Sequence, residues 1–246
     1  MNKRGSHVGM IISFVIFITF IVFLYSVFKP AINTGENKKA ILDVVEKGLL
    51  ENISVNLTTA TVQVKNRYSQ YNCIELQGFL LTTTLSGIDS GYIHNLKVKD
   101  GSENILNANS GGSIGSDLII NNNNENTFFK VYFSTNFTTI SVGSSCTTVP
   151  STDFNVGSIT TDSFPFESKI NYLAGYYTNN YDKLKAELKI TPGNYFGFDF
   201  TKSDGTVGAS VGTPPKTANV FTDEVPIQYV DSKANILSGF INIKVW

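Results

Sequence analysis

The chain has 246 residues, of which 16% are charged, and a net charge of −1. With no basic excess and no polybasic patch, nucleic acid is a poor partner and none is expected. Two Cys and two His, His7 and His94, are too few and too scattered for a zinc site.

The first predicted element is a helix. No charged residue falls between Val8 and Phe28, and a helix of that length spans roughly 30 Å, the thickness of a bilayer's hydrocarbon core. A cleavable secretory signal has a core of about 7–15 residues and small residues at its cut. Here bulky Leu24, Tyr25 and Phe28 close the run. No face is polar, which argues against a buried helix of a soluble protein. The hydroxyls of Ser13, Thr19 and Ser26 are expected to bond back to their own helix carbonyls, and Tyr25 suits the membrane interface. The dense positive leader, Lys3 and Arg4, favours a cytoplasmic N-terminus and an extracellular C-terminal domain on a single span, although Lys29, Lys38 and Lys39 weaken the asymmetry.

Lys3-Arg4-Gly5, followed by Ser6, stands before the apolar run and not after it. This order resembles the class III signal peptide of type IV pilin-like proteins, especially the archaeal ones. The resemblance implies that a prepilin peptidase recognises Lys3, Arg4 and Gly5 and cuts the Gly5–Ser6 bond on the cytoplasmic face. Residues 1–5 would be the leader, and the mature chain would begin at Ser6 with its apolar helix attached. It also implies other pilin-like subunits as partners, in a homo- or hetero-oligomer, and a pilin or minor-pilin role in an extracellular filament or at the cell surface. Bacterial pilins carry Glu at the fifth mature position, where this chain has Met10, so a bacterial-type subunit is disfavoured. Met10, Phe14, Phe17, Ile21, Leu24 and Phe28 alternate in spacing between four and three and form one stripe; packing against neighbouring helices and contact with lipid both satisfy it. The alternative reading of the same residues is an ordinary signal anchor, which makes the chain a non-polymerising, membrane-anchored binding or adhesion protein.

Pro30 and Gly35 predict a kink or short break. After it, Ile41, Val44, Val45, Leu49 and Leu50 mark an amphipathic helical extension, so that residues 6–52 form the span and its continuation. The resemblance implies that this half lies against the globular head. From Ser54 the period changes to two, and Val55, Leu57, Val62 and Val64 predict a half-buried strand. One or two strands are expected around Gly78, and another in "YIHNLKVK", closed by Asp100-Gly101. "ILNANSGGSIGSD" reads as a loop. Leu118–Ile120 and Thr127–Ser134 read as a hairpin turning through the Asn run, with Phe129, Val131 and Phe133 on one face. "FTTISV" predicts a further strand, and residues 150–162 a loop. A helix follows, with "YDKLKAEL" capped by Asn180 or Asp182 and stopped by Pro192-Gly193. Two hairpins close the chain, "NYFGFDFTKSDGTVGASV" and Val225–Val230 with Ile236–Trp246. The expected fold is α+β: a transmembrane helix with an amphipathic extension, then a mainly antiparallel β-rich head over residues 53–246.

Cys73 and Cys146 both fall in the predicted outer part. An even pair in an oxidising compartment points to one disulfide closing a long loop, and two buried free thiols are the alternative. Asn52, Asn56 and Asn136 begin N-x-[S/T] sequons, which permit N-glycosylation. No constellation supports catalysis, and no enzyme activity and no cofactor is expected. There is no G-x-S-x-G elbow, His94 reads as a strand residue, and Asp199 and Asp204 read as a strand and a turn residue. "DFTKSDG" has Thr201 and Ser203 where a calcium loop needs acids.

Overall fold

The computed structural model describes residues 6–82, 95–111, 116–122, 126–138 and 146–246. Among these the elements are, in chain order, α1 (Ser6–Ile53), β1 (Ser54–Val64), β2 (Cys73–Leu76), α2 (Phe79–Thr82), β3 (Leu96–Asp100), β4 (Ile105–Leu106), β5 (Ala108–Gly111), β6 (Asp117–Asn121), β7 (Phe128–Phe133), β8 (Thr147–Val149), β9 (Phe154–Pro165), α3 (Glu167–Glu187), β10 (Phe196–Lys202), β11 (Val207–Val211), β12 (Phe221–Val230) and β13 (Ile236–Val245). The fold is α+β, an apolar N-terminal helix followed by a β-rich, mainly antiparallel body.

Of the kink or short break predicted at Pro30 and Gly35, the break does not occur: α1 is one helix of 48 residues. A Pro inside a helix costs about 3 kcal/mol. Ending and restarting the helix would strip partners from the backbone groups at two new termini, so the continuous rod is the smaller loss. β1 follows with no connecting residue and pairs antiparallel with β9, from Ser54↔Pro165 to Val64↔Phe154. The Phe166 N–H donates to the Ile53 carbonyl at 3.0 Å. The end of α1 and the start of α3 are therefore held side by side at one end of a two-stranded ribbon.

That ribbon belongs to a sheet of order β4-β3-β7-β1-β9, which faces a second sheet of order β5-β6-β2-β8. Alternation builds the core between them: Ala60, Val62 and Val64 from β1, Val98 from β3, and Phe129, Val131 and Phe133 from β7 meet Ile74, Leu76, Leu118 and Ile120. The predicted hairpin of Leu118–Ile120 with Thr127–Ser134 is therefore corrected. β6 and β7 lie in opposite sheets, because two strongly apolar faces are better buried against each other than side by side in one half-solvated sheet. Asn122 holds the crossover, donating to the Asn126 carbonyl at 2.9 Å and accepting from the Asn126 N–H at 3.0 Å. The turn residues 123–125 lie outside the described residues, as does the end of the predicted "FTTISV" strand.

Two more expectations are corrected. Residues 150–162 contain most of β9 and are not a loop. β9 is an edge strand whose residues 157–163 are exposed on both faces, so no apolar alternation marks it, while Ile159, Thr160 and Thr161 keep the β-branching. The expected "ILNANSGG" loop carries β4 and β5, which pass from one sheet to the other at Asn107. Of the one or two strands expected around Gly78, one is present among the described residues, β2. Gly78 turns the chain at φ +70° into the short α2.

The third sheet, of order β11-β10-β13-β12, contains both predicted C-terminal hairpins, with β13 interior. Phe196, Phe198, Phe200, Ile241, Ile243 and Val245 form its buried face. In α3 the predicted cap at Asn180 is a kink, with φ −139° and ψ 38° at that residue, and the helix ends before Lys189 (φ 56°), ahead of Pro192. Three hairpin turns share one design, with a left-handed residue at Glu103, Gly205 and Ala234. In the first and third, Asp100 and Asp231 accept from the backbone N–H groups two and four residues on, at 2.8–2.9 Å.

Asp153 is a buried carboxylate that accepts from Tyr68 Oη at 2.6 Å, Lys65 Nζ at 2.7 Å and the Arg67 guanidinium. It locks the loop after β1 to the start of β9. Lys65 and Arg67 are more than half exposed and contribute little, whereas Tyr68 is buried and its O–H would lose its acceptor. Asp153→Ala is expected to cost about 2–3 kcal/mol, read as a lower urea midpoint with an unchanged slope.

Candidate functional site

The feature that dominates the molecular surface is the first half of α1. From Gly9 to Val27 its mean hydropathy is 2.7 and none of it is buried in the protein. Met10, Phe14, Phe17 and Ile21 are exposed, but so are Ile12, Val15, Ile16, Phe20 and Phe23 on the other faces. The geometry therefore does not single out the stripe. The Thr19 hydroxyl donates to the carbonyls of Val15 and Ile16 at 3.0 and 2.9 Å, so this polar group is satisfied inside its own helix. Among the described residues, one helix is thus long and apolar enough to cross a membrane.

The second half of the same helix is built into the head. Leu42, Val45, Leu49 and Ile53 are buried against Ile170, Leu173, Leu184 and Leu188 and against the third sheet. Of the residues expected on this face, Val45 and Leu49 are in the core, Ile41 and Leu50 are half-buried and Val44 is exposed; Leu42 and Ile53 complete the seam. Gly48 permits the closest approach, since a Cβ there would lie 2.3 Å from Leu188 Cδ2. Lys38 Nζ donates to Asn194 Oδ1 at 2.7 Å, and partial desolvation holds Lys38 below its ordinary value. The apolar segment and the part packed on the third sheet therefore belong to one continuous helix.

Sequence reasoning missed a tyrosine array on α3. Its signal was available in the i, i+4 pairs Tyr172/Tyr176 and Tyr177/Tyr181, which fall on neighbouring faces of one helix. Tyr177 Oη donates to the Phe196 carbonyl, and the Phe196 N–H donates to Tyr181 Oη at 3.2 Å. Both phenols are pushed above their ordinary value by burial, Tyr177 most strongly and with a further push from Tyr181. This pair ties α3 to β10. The other pair is outward: the Tyr172 and Tyr176 rings stack at 6.3 Å and 14°. With Asn52, Lys169, Lys183 and Glu187 they line a groove of about 320 Å³ between α3 and the end of α1.

The leader residues Lys3, Arg4 and Gly5 lie outside the described residues, as does His94, and Ser6 is the first residue of α1. Cys73 and Cys146 form a disulfide. It sits at the head of β2 and β8, which pair in parallel from Ile74↔Thr147. Asn52 is exposed in the last turn of α1, its amide donating to the Gly48 carbonyl at 2.8 Å. Asn56 is exposed on β1, and the half-buried Asn136 donates to the Ser168 hydroxyl. Asp199 accepts from Ser210 Oγ at 2.6 Å and pairs with Lys244, while Asp204 accepts from the Thr206 N–H at 2.8 Å. The two acids thus serve a strand and a turn. Among the described residues no cluster of His, Cys, Asp and Glu could hold a metal ion.

Comparison with known protein families, with curated proteins and with solved structures finds no match to this chain. The functional reading therefore rests on the chain's own geometry.

Proposed function

We propose that this protein is a type IV pilin-like structural subunit, a pilin or minor pilin, that assembles through its N-terminal apolar helix and presents its β-rich head outside the cell. One observation carries the reading: the helix is apolar and uncovered from Gly9 to Val27, yet continues as the same helix into the core of the head. A tether for a cell-surface binding protein needs only a span and a linker. In a helical assembly the packing of the apolar rods must fix the position of every head, and that requires a rigid connection. Between apolar helices in a lipid-like setting there is little hydrophobic drive, so shape and close fit supply the association. The aromatic and β-branched residues of the run offer that surface.

The reading includes cleavage of the Gly5–Ser6 bond by a prepilin peptidase. Native protein is then expected to begin at Ser6, and Gly5→Leu to retain residues 1–5 and to form no filaments. N-terminal sequencing together with negative-stain microscopy tests both points. Native protein beginning at Met1 or Asn2, with no filaments in wild-type cells, would instead identify a non-polymerising anchored binding or adhesion protein.

A further inference from the structure

The Asp231–Asn235 turn, at the tip of the β12–β13 hairpin, docks on the outer face of the β3–β7 pair, where it meets Lys99. The Lys99 side chain is only 3% exposed. Its ammonium donates to the Ala234 carbonyl at 3.0 Å and to Asn235 Oδ1 at 2.7 Å, and lies 5.2 Å from the centre of the Tyr132 ring. Asn235 Nδ2 donates to Asp231 Oδ2 at 2.7 Å, which turns the amide oxygen toward the lysine and the nitrogen toward a carboxylate. Glu103, placed by its left-handed backbone at the β3–β4 turn, brings Oε2 to 3.6 Å from Lys99 Nζ. An amine and a carboxylate from the β3–β4 hairpin thus meet, from the β12–β13 turn, a carboxamide carbon one bond behind the accepting oxygen. The 2.7 Å hydrogen bond to Asn235 Oδ1 holds the amine against the oxygen one bond away from the carbon it would attack.

We propose that Lys99 and Asn235 form an intramolecular isopeptide bond. Glu103 takes a proton from the Lys99 ammonium, and the freed amine attacks Asn235 Cγ. The Nζ–Cγ bond forms and the Cγ–Nδ2 bond breaks. Of the three protons on the ammonium, one stays on the new amide; the other two end on the departing nitrogen, one of them by way of Glu103. The nitrogen leaves as ammonium beside Asp231. Charge and atoms balance without an oxidant or cofactor. Held geometry supplies the acceleration, since well-oriented intramolecular groups act at effective concentrations far above any in solution. Lys130 works against the step: its hydrogen bond to Glu103 holds that carboxyl below the usual carboxylate range and makes it a weaker proton acceptor. The product joins the two-sheet sandwich to the third sheet by a covalent link, so that pulling the two apart means breaking a bond instead of two hydrogen bonds.

The test is mass spectrometry of the full chain purified in detergent, reduced and digested with trypsin. The expected product is residues 98–130, uncut at Lys99, joined to residues 234–244 and lighter than their sum by one ammonia. The linked fraction is expected to rise with age of the sample, faster in Lys130→Met, and to be lost in Glu103→Gln. Aged wild-type protein with only unlinked 98–99, 100–130 and 234–244 peptides would overturn the assignment. Linking in Glu103→Gln at the wild-type rate would overturn the role given to Glu103. The wild-type measurement needs no variant to fold.

Discussion

Leu49→Ala is expected to destabilise the head by about 3 kcal/mol, within the range for Leu truncations in a packed core, and to separate the apolar rod from the body it positions. Leu49 is 2% exposed and lies where α1, α3 and the third sheet meet. The vacated space is bounded by elements held elsewhere. The kinked α3 is tied to β10 through Tyr177 and Tyr181, and the end of α1 is pinned by the Phe166 N–H. Collapse into the cavity is therefore limited, and the cavity cost is retained in addition to the lost transfer energy. In a chain of this size the loss corresponds to a fall in Tm of roughly 6–12 °C. Near-ultraviolet circular dichroism of the detergent-solubilised chain reads it through the buried tyrosines. Phe17→Ala supplies the contrast. It removes a larger side chain from the same helix, but from the part that touches nothing in the head, so Tm is expected not to move. Equal shifts in the two variants would contradict the division of α1 into a free half and a built-in half. If the assembly reading holds, Leu49→Ala also yields fewer or less regular filaments, because the heads lose their fixed placement.

The double variant Cys73→Ser/Cys146→Ser is expected to lose about 4 kcal/mol, the chain-entropy contribution of a cross-link closing a loop of this length. The separation is 73 residues. The location sharpens the expectation. β2 and β8 are short and pair in parallel through Ile74↔Thr147, Glu75↔Thr148 and Leu76↔Val149, and a parallel pair is slightly less stable per residue than an antiparallel one. Without the cross-link, β8 is held by its short ladder to β2 and by Val149, which is buried in the sandwich core. Loosening should therefore begin there, before the third sheet responds. Guanidinium denaturation of oxidised and reduced protein gives the magnitude, and hydrogen exchange gives the place. A difference below 1 kcal/mol, or exchange that rises first in β10–β13, would contradict the assignment of the disulfide as the clamp of the second sheet.

Elements with a strong local period were legible in advance. The apolar run, β1, the β10–β11 and β12–β13 hairpins and the body of α3 each carry their pattern within ten to twenty neighbouring residues. The misreadings have one physical origin. β9 is a polar-looking edge strand whose ladder to β1 spans a hundred residues of chain, and nothing local in "FNVGSITTDSFP" announces its partner. β6 and β7 look like a hairpin because they are adjacent and both apolar. Which of two apolar strands pairs and which one faces is decided by the whole set of surfaces to be covered. The break expected at Pro30 was a sound local inference that lost to the cost of two extra helix ends. The tyrosine array was visible as i, i+4 spacing, but only the third sheet distinguishes the inward pair Tyr177/Tyr181 from the outward pair Tyr172/Tyr176.

For the site the division is similar. That one stretch is long and apolar enough to cross a membrane, that an alternating chain follows it, and that a cysteine pair is available are properties of short windows of sequence, because hydropathy and period are summed locally. That the apolar rod enters the core at Leu42, Val45, Leu49 and Ile53, that the disulfide clamps a parallel pair, and that Lys99 meets Asn235 across 136 residues are decided only by the fold. Contacts of that kind depend on where distant backbone segments end up, and no local preference encodes the distance between them.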